Sequence, residues 1–189
     1  MRTRKRVEVV GILALVGPLG CAAPEVDFTK IQRPARSAEL DAYNVFVGSW
    51  TWQAEMLNAR AEDKSWTGTA EWRWMLDQNC LEGQLSAKSA KAEFEAVGLW
   101  SWHPKAKQYI WTMFNNWGYP QHGQAHYEAG PQTWTMDYQS VGLDGSASHG
   151  RYQIKVMDHD WLDWTLVEYA DPLHMVKKME MKGSYKRRK

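Results

Sequence analysis

The sequence predicts an all-β domain, an antiparallel meander of about ten strands, and two observations carry that prediction. From Gly48 onward, apolar and polar residues alternate in one run after another, which is the pattern of strands with one buried and one solvent-facing side. Short groups of turn-forming residues stand between the runs, such as Gly130-Pro131 and Asp144-Gly145. Strands joined by such short links pair with their neighbours along the chain.

The inward side of each strand follows from the alternation, because successive side chains of a strand point to opposite faces. The tripeptide Trp-Thr-Met occurs twice, at 111–113 and 134–136, and both copies place Trp and Met inward and Thr outward. The other inward sets are Trp50, Trp52, Ala54 and Met56; Trp66, Gly68, Ala70, Trp72 and Trp74; Phe94, Ala96, Gly98, Trp100 and Trp102; Tyr152, Ile154 and Val156; and Leu162, Trp164 and Leu166.

One segment before the strands has a different period. Residues 37–47 are predicted to form a short helix, with Ser37 at the N-cap position and Leu40, Tyr43 and Val47 at helical spacing.

The first residues have the order of an export signal: the cationic start MRTRKR, a short apolar run, and then the Gly20-Cys21 junction. The apolar run is too short to span a bilayer. The segment resembles a bacterial lipoprotein signal, in which the Cys after the cleavage site is acylated. We therefore expect a signal peptide over 1–20, a lipidated N-terminus and tether over 21–36, and the folded domain over 37–189. The alternatives are a secretory signal cut elsewhere and a membrane anchor that stays.

Lipidation of Cys21 would place the protein in the cell envelope, on the periplasmic face of a bacterial membrane. Cys80 is then the only other thiol, and it is expected to be a small buried residue. The formal net charge is +1 with mixed signs, which argues against a nucleic-acid partner. The sequence has no nucleophile elbow, phosphate loop, dinucleotide fingerprint or zinc-protease helix. We therefore predict no catalytic residues, and binding rather than catalysis.

Short motifs and single residues spread over the domain from Gly48 to Arg187 carry a family resemblance. They are Gly48-Ser49-Trp50, Trp66-Thr67-Gly68, Leu81, Gly83, residues 103–109, Trp134, Asp144-Gly145 and Tyr185-Lys186-Arg187. With these residues the domain resembles the bacterial family called domain of unknown function 1579, which belongs to the lipocalin-like calycin barrels. The resemblance implies that the meander closes into a barrel, that Gly48 and Trp50 start the first strand, and that Lys186 or Arg187 crosses over the Trp50 ring. Closure also removes the exposed strand edges that a meander would otherwise present.

The histidines give no metal site by spacing. His122 and His126 are four apart on a predicted strand, or about 13 Å at ~3.3 Å per residue, which is too far for one ion. Asp158-His159-Asp160 is interpreted as a turn. In the related haem-binding calycins called nitrobindins a late His ligates the iron, so His174, or one of the sixth-strand histidines, is the candidate ligand of a haem alternative. Otherwise we predict no cofactor and no metal.

Two charged residues occupy positions that the strand alternation predicts to face the interior. Lys177 falls among Met175, Met179 and Met181, and Glu168 continues the set that begins at Leu162. Buried ionisable groups need partners or solvent, so these two residues are expected either at a barrel end or in a wet cavity.

The leading hypothesis is therefore a lipid-anchored envelope protein that binds a small apolar or amphipathic molecule inside the barrel. The predicted ligand-binding residues are Trp111, Met113, Trp134 and Met136, with Tyr138 or Lys177 orienting the guest. The alternative for the same residues is a fully packed core. Two further alternatives are a haem protein or enzyme using His174, and a carbohydrate-binding protein with Trp117 and Tyr119 as stacking platforms.

Overall fold

The structure, a computed structural model, describes residues 35–118, 120–141 and 145–189, and these form ten antiparallel strands closed into a barrel. Each strand pairs with its neighbours in sequence, and β1 pairs with β10 to complete the barrel. The predicted all-β meander and its closure are thus confirmed. The strands are β1 Gly48–Met56, β2 Ser65–Met75, β3 Cys80–Lys88, β4 Glu93–His103, β5 Gln108–Asn115, β6 Gln121–Glu128, β7 Thr133–Val141, β8 Ala147–Asp158, β9 Trp161–Tyr169 and β10 Lys177–Arg187.

The predicted signal peptide, Cys21 and most of the predicted tether lie outside the described residues. Within the described part of the chain, no helix combines the length and hydrophobicity that a membrane crossing requires.

The alternation identifies the barrel interior correctly. Except at the start of β10, the predicted inward residues are buried or half-buried along each strand, and one core cluster joins most of them across the barrel. Glycines make room for the large rings: a Cβ at Gly83 would overlap Trp72, and one at Gly98 would overlap Trp100. The indole-rich interior therefore depends on glycine positions within the strands as well as on the aromatic residues.

The predicted helix is a 3-10 helix, Ala38–Val45, rather than an α-helix. The Ser37 side chain bonds the Glu39 carboxylate and makes no cap to a backbone amide. Packing holds this segment in place, because the Tyr43 ring stacks on Trp134 with centroids 4.6 Å apart. Phe46 packs against the same Trp at 5.7 Å. The segment fills one end of the barrel, which we call the closed end.

A cluster around Trp50 fastens the closed end. The Trp50 indole is fully buried and donates from Nε1 to the Phe46 carbonyl at 2.7 Å. The Arg187 guanidinium lies over the Trp50 ring, with its carbon 4.1 Å from the centroid. Gly48 has a φ of 124°, and a Cβ there would come within 2.6 Å of Arg187 Nη1. The other cation implied by the resemblance, Lys186, lies instead over Trp161 at 5.9 Å.

The guanidinium of Arg187 also joins the strand end to the helical segment. It donates to the Val45 carbonyl at 3.0 Å and to the Val47 carbonyl at 2.5 Å. One residue near the end of β10 thus binds both the first strand's Trp and the chain that leads into that strand.

The prediction that Lys177 faces the interior is wrong. A β-bulge in β10 pairs Lys177 with Tyr169 and Met179 with Glu168, so that Lys178 is the extra residue. The bulge reverses the alternation before Met179 and turns Lys177 outward, where its Nζ pairs with Glu180 at 2.7 Å. Met175, expected inward with Lys177, stands in the preceding turn and is 79% exposed.

Candidate binding cavity

The barrel interior holds a cavity of about 230 Å³. Its floor is the closed end, where Tyr43, Phe46 and Trp134 meet. Its walls are almost entirely aromatic, aliphatic and thioether side chains. At the opposite end, which we call the mouth, the lining includes Trp117 and Val141, both exposed to solvent. The cavity therefore reaches the protein surface at the mouth.

Five of the six predicted ligand-binding residues line this cavity. Trp111, Trp134, Met136 and Tyr138 are buried on its wall, and Met113 is half-buried nearer the mouth. Each side chain has the inward position that the strand alternation gives it. The sixth residue, Lys177, is outside.

Polar lining groups gather toward the mouth. Asn115, Gln121, Ser140 and Glu168 line the cavity there. Each lies at or near the mouth end of its strand, so the floor is apolar and the entrance carries hydrogen-bonding groups. This arrangement is typical of sites that bind an apolar body and orient it through a few polar contacts.

The sharpest polar feature is a carboxylate held by two hydroxyls. Tyr138 donates its phenolic proton to Glu168 Oε1 at 2.6 Å, and Ser148 donates to Glu168 Oε2 at 3.4 Å. A Cβ at Gly150 would overlap the Tyr138 ring, so glycine is what lets that phenol lie against β8. Burial, and then the nearby carboxylate, raise the pKa of the Tyr138 phenol well above its ordinary value. Tyr138 therefore remains a proton donor to Glu168 at physiological pH.

Sequence reasoning predicts the inward position of Glu168 but misses Ser148. The dipeptide Ser148-His149 resembles a turn in a Gly-rich stretch, yet it lies within β8, and Ser148 is only 1% exposed. A signal for it does exist, because Ser148 and Gly150 continue the alternation of Tyr152 and Ile154 toward the mouth.

A second hydroxyl pair lies deeper in the wall. The phenols of Tyr152 and Tyr185 face each other with oxygens 3.0 Å apart. Burial raises the pKa of both, to about 12 for Tyr185. Both phenols are therefore neutral at physiological pH, and they form an uncharged hydrogen-bonding pair in the wall.

Five buried donor groups of the lining have no hydrogen-bond partner among the described residues. They are the indole Nε1 groups of Trp52, Trp111, Trp134 and Trp164 and the hydroxyl of Tyr43. Buried donors in native proteins almost always have a partner, which is either protein or water. Side chains of the lining thus carry donors that a water molecule could satisfy.

The residues of the other hypotheses lie elsewhere. His174 does not line the cavity, and its ring stacks on Tyr169 with centroids 4.5 Å apart. None of the described lining residues is a histidine, so the cavity supplies no imidazole for a haem iron. The Trp117 ring packs against Phe94 at 5.0 Å as part of the mouth, and Tyr119 lies outside the described residues.

The remaining histidines and acids form no metal centre in the part of the chain that the structure describes. His122 and His126 are both exposed on β6. Asp158 ends β8, His159 and Asp160 form the turn to β9, and all three are exposed.

Comparison with solved structures agrees with this architecture. The crystal structure of Rv2717c from M. tuberculosis matches with a TM-score of 0.60 and 11% sequence identity, over 82% of this chain and 99% of that chain. The S-type phycobiliprotein lyase CPES from Guillardia theta matches with a TM-score of 0.51 and 10% identity, over 82% of this chain and 94% of that chain. At these identities the similarity shows the fold alone.

No protein-family model matches the sequence, and no match was found among curated proteins. The resemblance to domain of unknown function 1579 stays a prediction.

Proposed function

We propose that the barrel binds a small, mostly apolar molecule in its interior cavity. The observation that carries the proposal is the unfilled volume of about 230 Å³ among aromatic and thioether side chains. Protein interiors are packed to the density of organic crystals and contain few voids larger than a water molecule. A chain with 12 Trp residues in 189 has ample bulk to fill such a space, yet this barrel leaves it open.

The volume limits the guest. An apolar cavity of about 150 Å³ is enough to bind benzene. A cavity half as large again suits a bicyclic aromatic body or a short branched aliphatic one, and the open mouth lets a longer guest protrude. Indole faces and methionine sulfurs offer dispersion and edge contacts to a flat ring.

The experiment is calorimetric titration of the purified protein with a neutral bicyclic probe, naphthylmethanol. Leu85 lines the cavity, and Leu85→Trp should fill part of it and weaken binding at least about tenfold, since a Trp side chain adds bulk where the guest lies. Leu99 is 38% exposed on the outer face of β4, so Leu99→Trp is the matched control and should bind as the wild type does. Circular dichroism establishes that both variants fold. Equal binding by both variants, or no saturable binding by the wild type, would rule the proposal out.

We also propose that the mature protein is attached to the cell envelope by acylation of Cys21. The support is the order of cationic start, short apolar run and Gly20-Cys21 junction. A single acyl chain gives only marginal membrane binding, so stable attachment needs more than one acyl group on the new N-terminus.

A further inference from the structure

We infer that the guest carries a positive charge, as an amine on an apolar body, and that Glu168 at the mouth recognises it. This inference rests on the proposed binding function and adds the charge of the ligand to it.

Among the described residues, the carboxylate of Glu168 has no cationic partner. It faces the cavity from β9, and its partners across the sheet are Gly150 on β8 and Met179 on β10, neither of which is charged. The bulge in β10 turns Lys177 outward, where it pairs with Glu180. Among the described residues, no lysine, arginine or histidine lies within ion-pair distance of Glu168.

The contacts that Glu168 does have fix its orientation and leave it accepting capacity. Tyr138 and Ser148, 5% and 1% exposed, each donate one hydrogen bond, to Oε1 and Oε2 respectively. A carboxylate can accept about four hydrogen bonds, so about two acceptor positions remain. An ammonium group supplies such donors together with the missing charge, and its hydrogen bond to a carboxylate is about twice as strong as a neutral one.

The surrounding rings favour the same guest. Trp111 and Tyr138 pack edge to face with centroids 5.4 Å apart, so an indole lies next to the phenol that binds Glu168, on the same cavity wall. Aromatic faces attract cations, and most strongly where water is excluded. An anionic guest would meet the Glu168 charge with no compensating cation on the described wall.

The outward position of Lys177 removes a cation that the sequence predicts inside the barrel. An inward Lys177 would have favoured an anionic headgroup such as that of a fatty acid. With Lys177 outside and Glu168 inside, the mouth favours a cationic headgroup over an anionic one.

The test uses three probes with the same ring system: naphthylmethylamine, which is cationic, naphthylmethanol, which is neutral, and naphthoate, which is anionic. Each is titrated calorimetrically into the wild type, Glu168→Gln and Glu180→Gln. Glu180→Gln removes the same charge from an outward position near the mouth and is the matched control.

We expect the wild type to bind the amine about tenfold more tightly than the alcohol, because the ammonium forms a charge-assisted hydrogen bond with Glu168. The acid should bind more weakly than the alcohol. The preference for the amine should vanish in Glu168→Gln and persist in Glu180→Gln. Circular dichroism and a urea midpoint establish that Glu168→Gln is folded. Tyr138→Phe is a second variant, which keeps the carboxylate but removes a hydroxyl that orients it, and it should weaken the preference without abolishing it.

The outcomes separate the two proposals. If the alcohol binds but the amine binds no better, or if Glu168→Gln retains the preference, the charge inference is wrong and the binding function stands. If no probe binds the wild type, the binding function itself is wrong.

Discussion

Replacing Trp50 by Ala should destabilise the barrel strongly, because this one indole joins three parts of the closed end. It is fully buried, it donates to the Phe46 carbonyl, and Arg187 lies over its face. The replacement would leave a cavity, a carbonyl without its donor and a guanidinium without its aromatic partner. The matched control is Trp161→Ala, because Trp161 lies under Lys186 at 5.9 Å but is 40% exposed.

The magnitude follows from these contacts. Buried Trp-to-Ala replacements cost about 3–5 kcal/mol. The lost hydrogen bond to Phe46 contributes about 1 kcal/mol and the lost cation–π contact about 0.5–2 kcal/mol. The range of about 3–5 kcal/mol for buried Trp-to-Ala replacements already includes part of such contacts. We therefore expect Trp50→Ala to lower the free energy of unfolding by about 4–5 kcal/mol. Trp161→Ala removes an exposed pair and should cost about 1 kcal/mol or less.

Urea denaturation followed by far-ultraviolet circular dichroism measures both variants. With a denaturant slope of about 2 kcal/mol per M, the midpoint of Trp50→Ala should fall by about 2 M, while that of Trp161→Ala should fall by about 0.5 M or less. If Trp50→Ala does not fold, Trp50→Phe keeps a ring beneath Arg187 and should lower the midpoint by an intermediate amount. Equal midpoints for Trp50→Ala and Trp161→Ala would show that the cluster does not fasten the closed end.

Three more outcomes are expected. Labelled palmitate should enter the wild type in bacterial cells but not Cys21→Ala, and equal labelling would contradict acylation at this residue. Burial raises the pKa of the Tyr152 phenol and, to about 12, that of Tyr185. The two neutral phenols therefore contribute their full stabilisation below pH 10.0, the ordinary pKa of tyrosine, and this contribution is lost as the pH rises toward 12. The urea midpoint should therefore fall over this interval, and less steeply when both tyrosines are replaced by Phe; equal slopes would show that the pair does not contribute. Burial also raises the pKa of the Cys80 thiol, so iodoacetamide should alkylate it much more slowly in the native protein than in urea, and similar rates would mean that the thiol is accessible.

The strand order and the inward residues can be predicted from the sequence because they depend on local information. Alternation over each run gives the buried face, and short turns give the partner strand, so the pattern alone is enough to assign Trp111 and Trp134 to the interior. The Trp50 cluster is expected only from the family resemblance, which leaves a choice between Lys186 and Arg187. The register of β10 against β1 makes that choice, since it pairs Trp50 with Arg187.

The errors have a different physical origin. A bulge arises from the fit between two strands, and nothing in the residues around Lys178 indicates one. The alternation therefore predicts the wrong face for Lys177. Ser148 escapes prediction because small residues and glycines suit both a turn and a strand that must accommodate the Tyr138 ring. The cavity volume depends on how all the rings pack at once, and alternation carries no information on that.

The closure of the barrel through β1 and β10 has a consequence for how the chain folds. Within the described residues, every other strand pair is a hairpin of sequence neighbours, whereas the Arg187 bond to Val47 joins residues 140 apart. Bringing together the ends of a loop of that length costs roughly 4 kcal/mol of chain entropy, which no single hairpin has to overcome. We therefore expect the hairpins to form early and the β1–β10 seam to form last, so that folding speed is set by this one long-range step. On partial unfolding the same seam should part first, opening the barrel along its side while the other ladders remain paired.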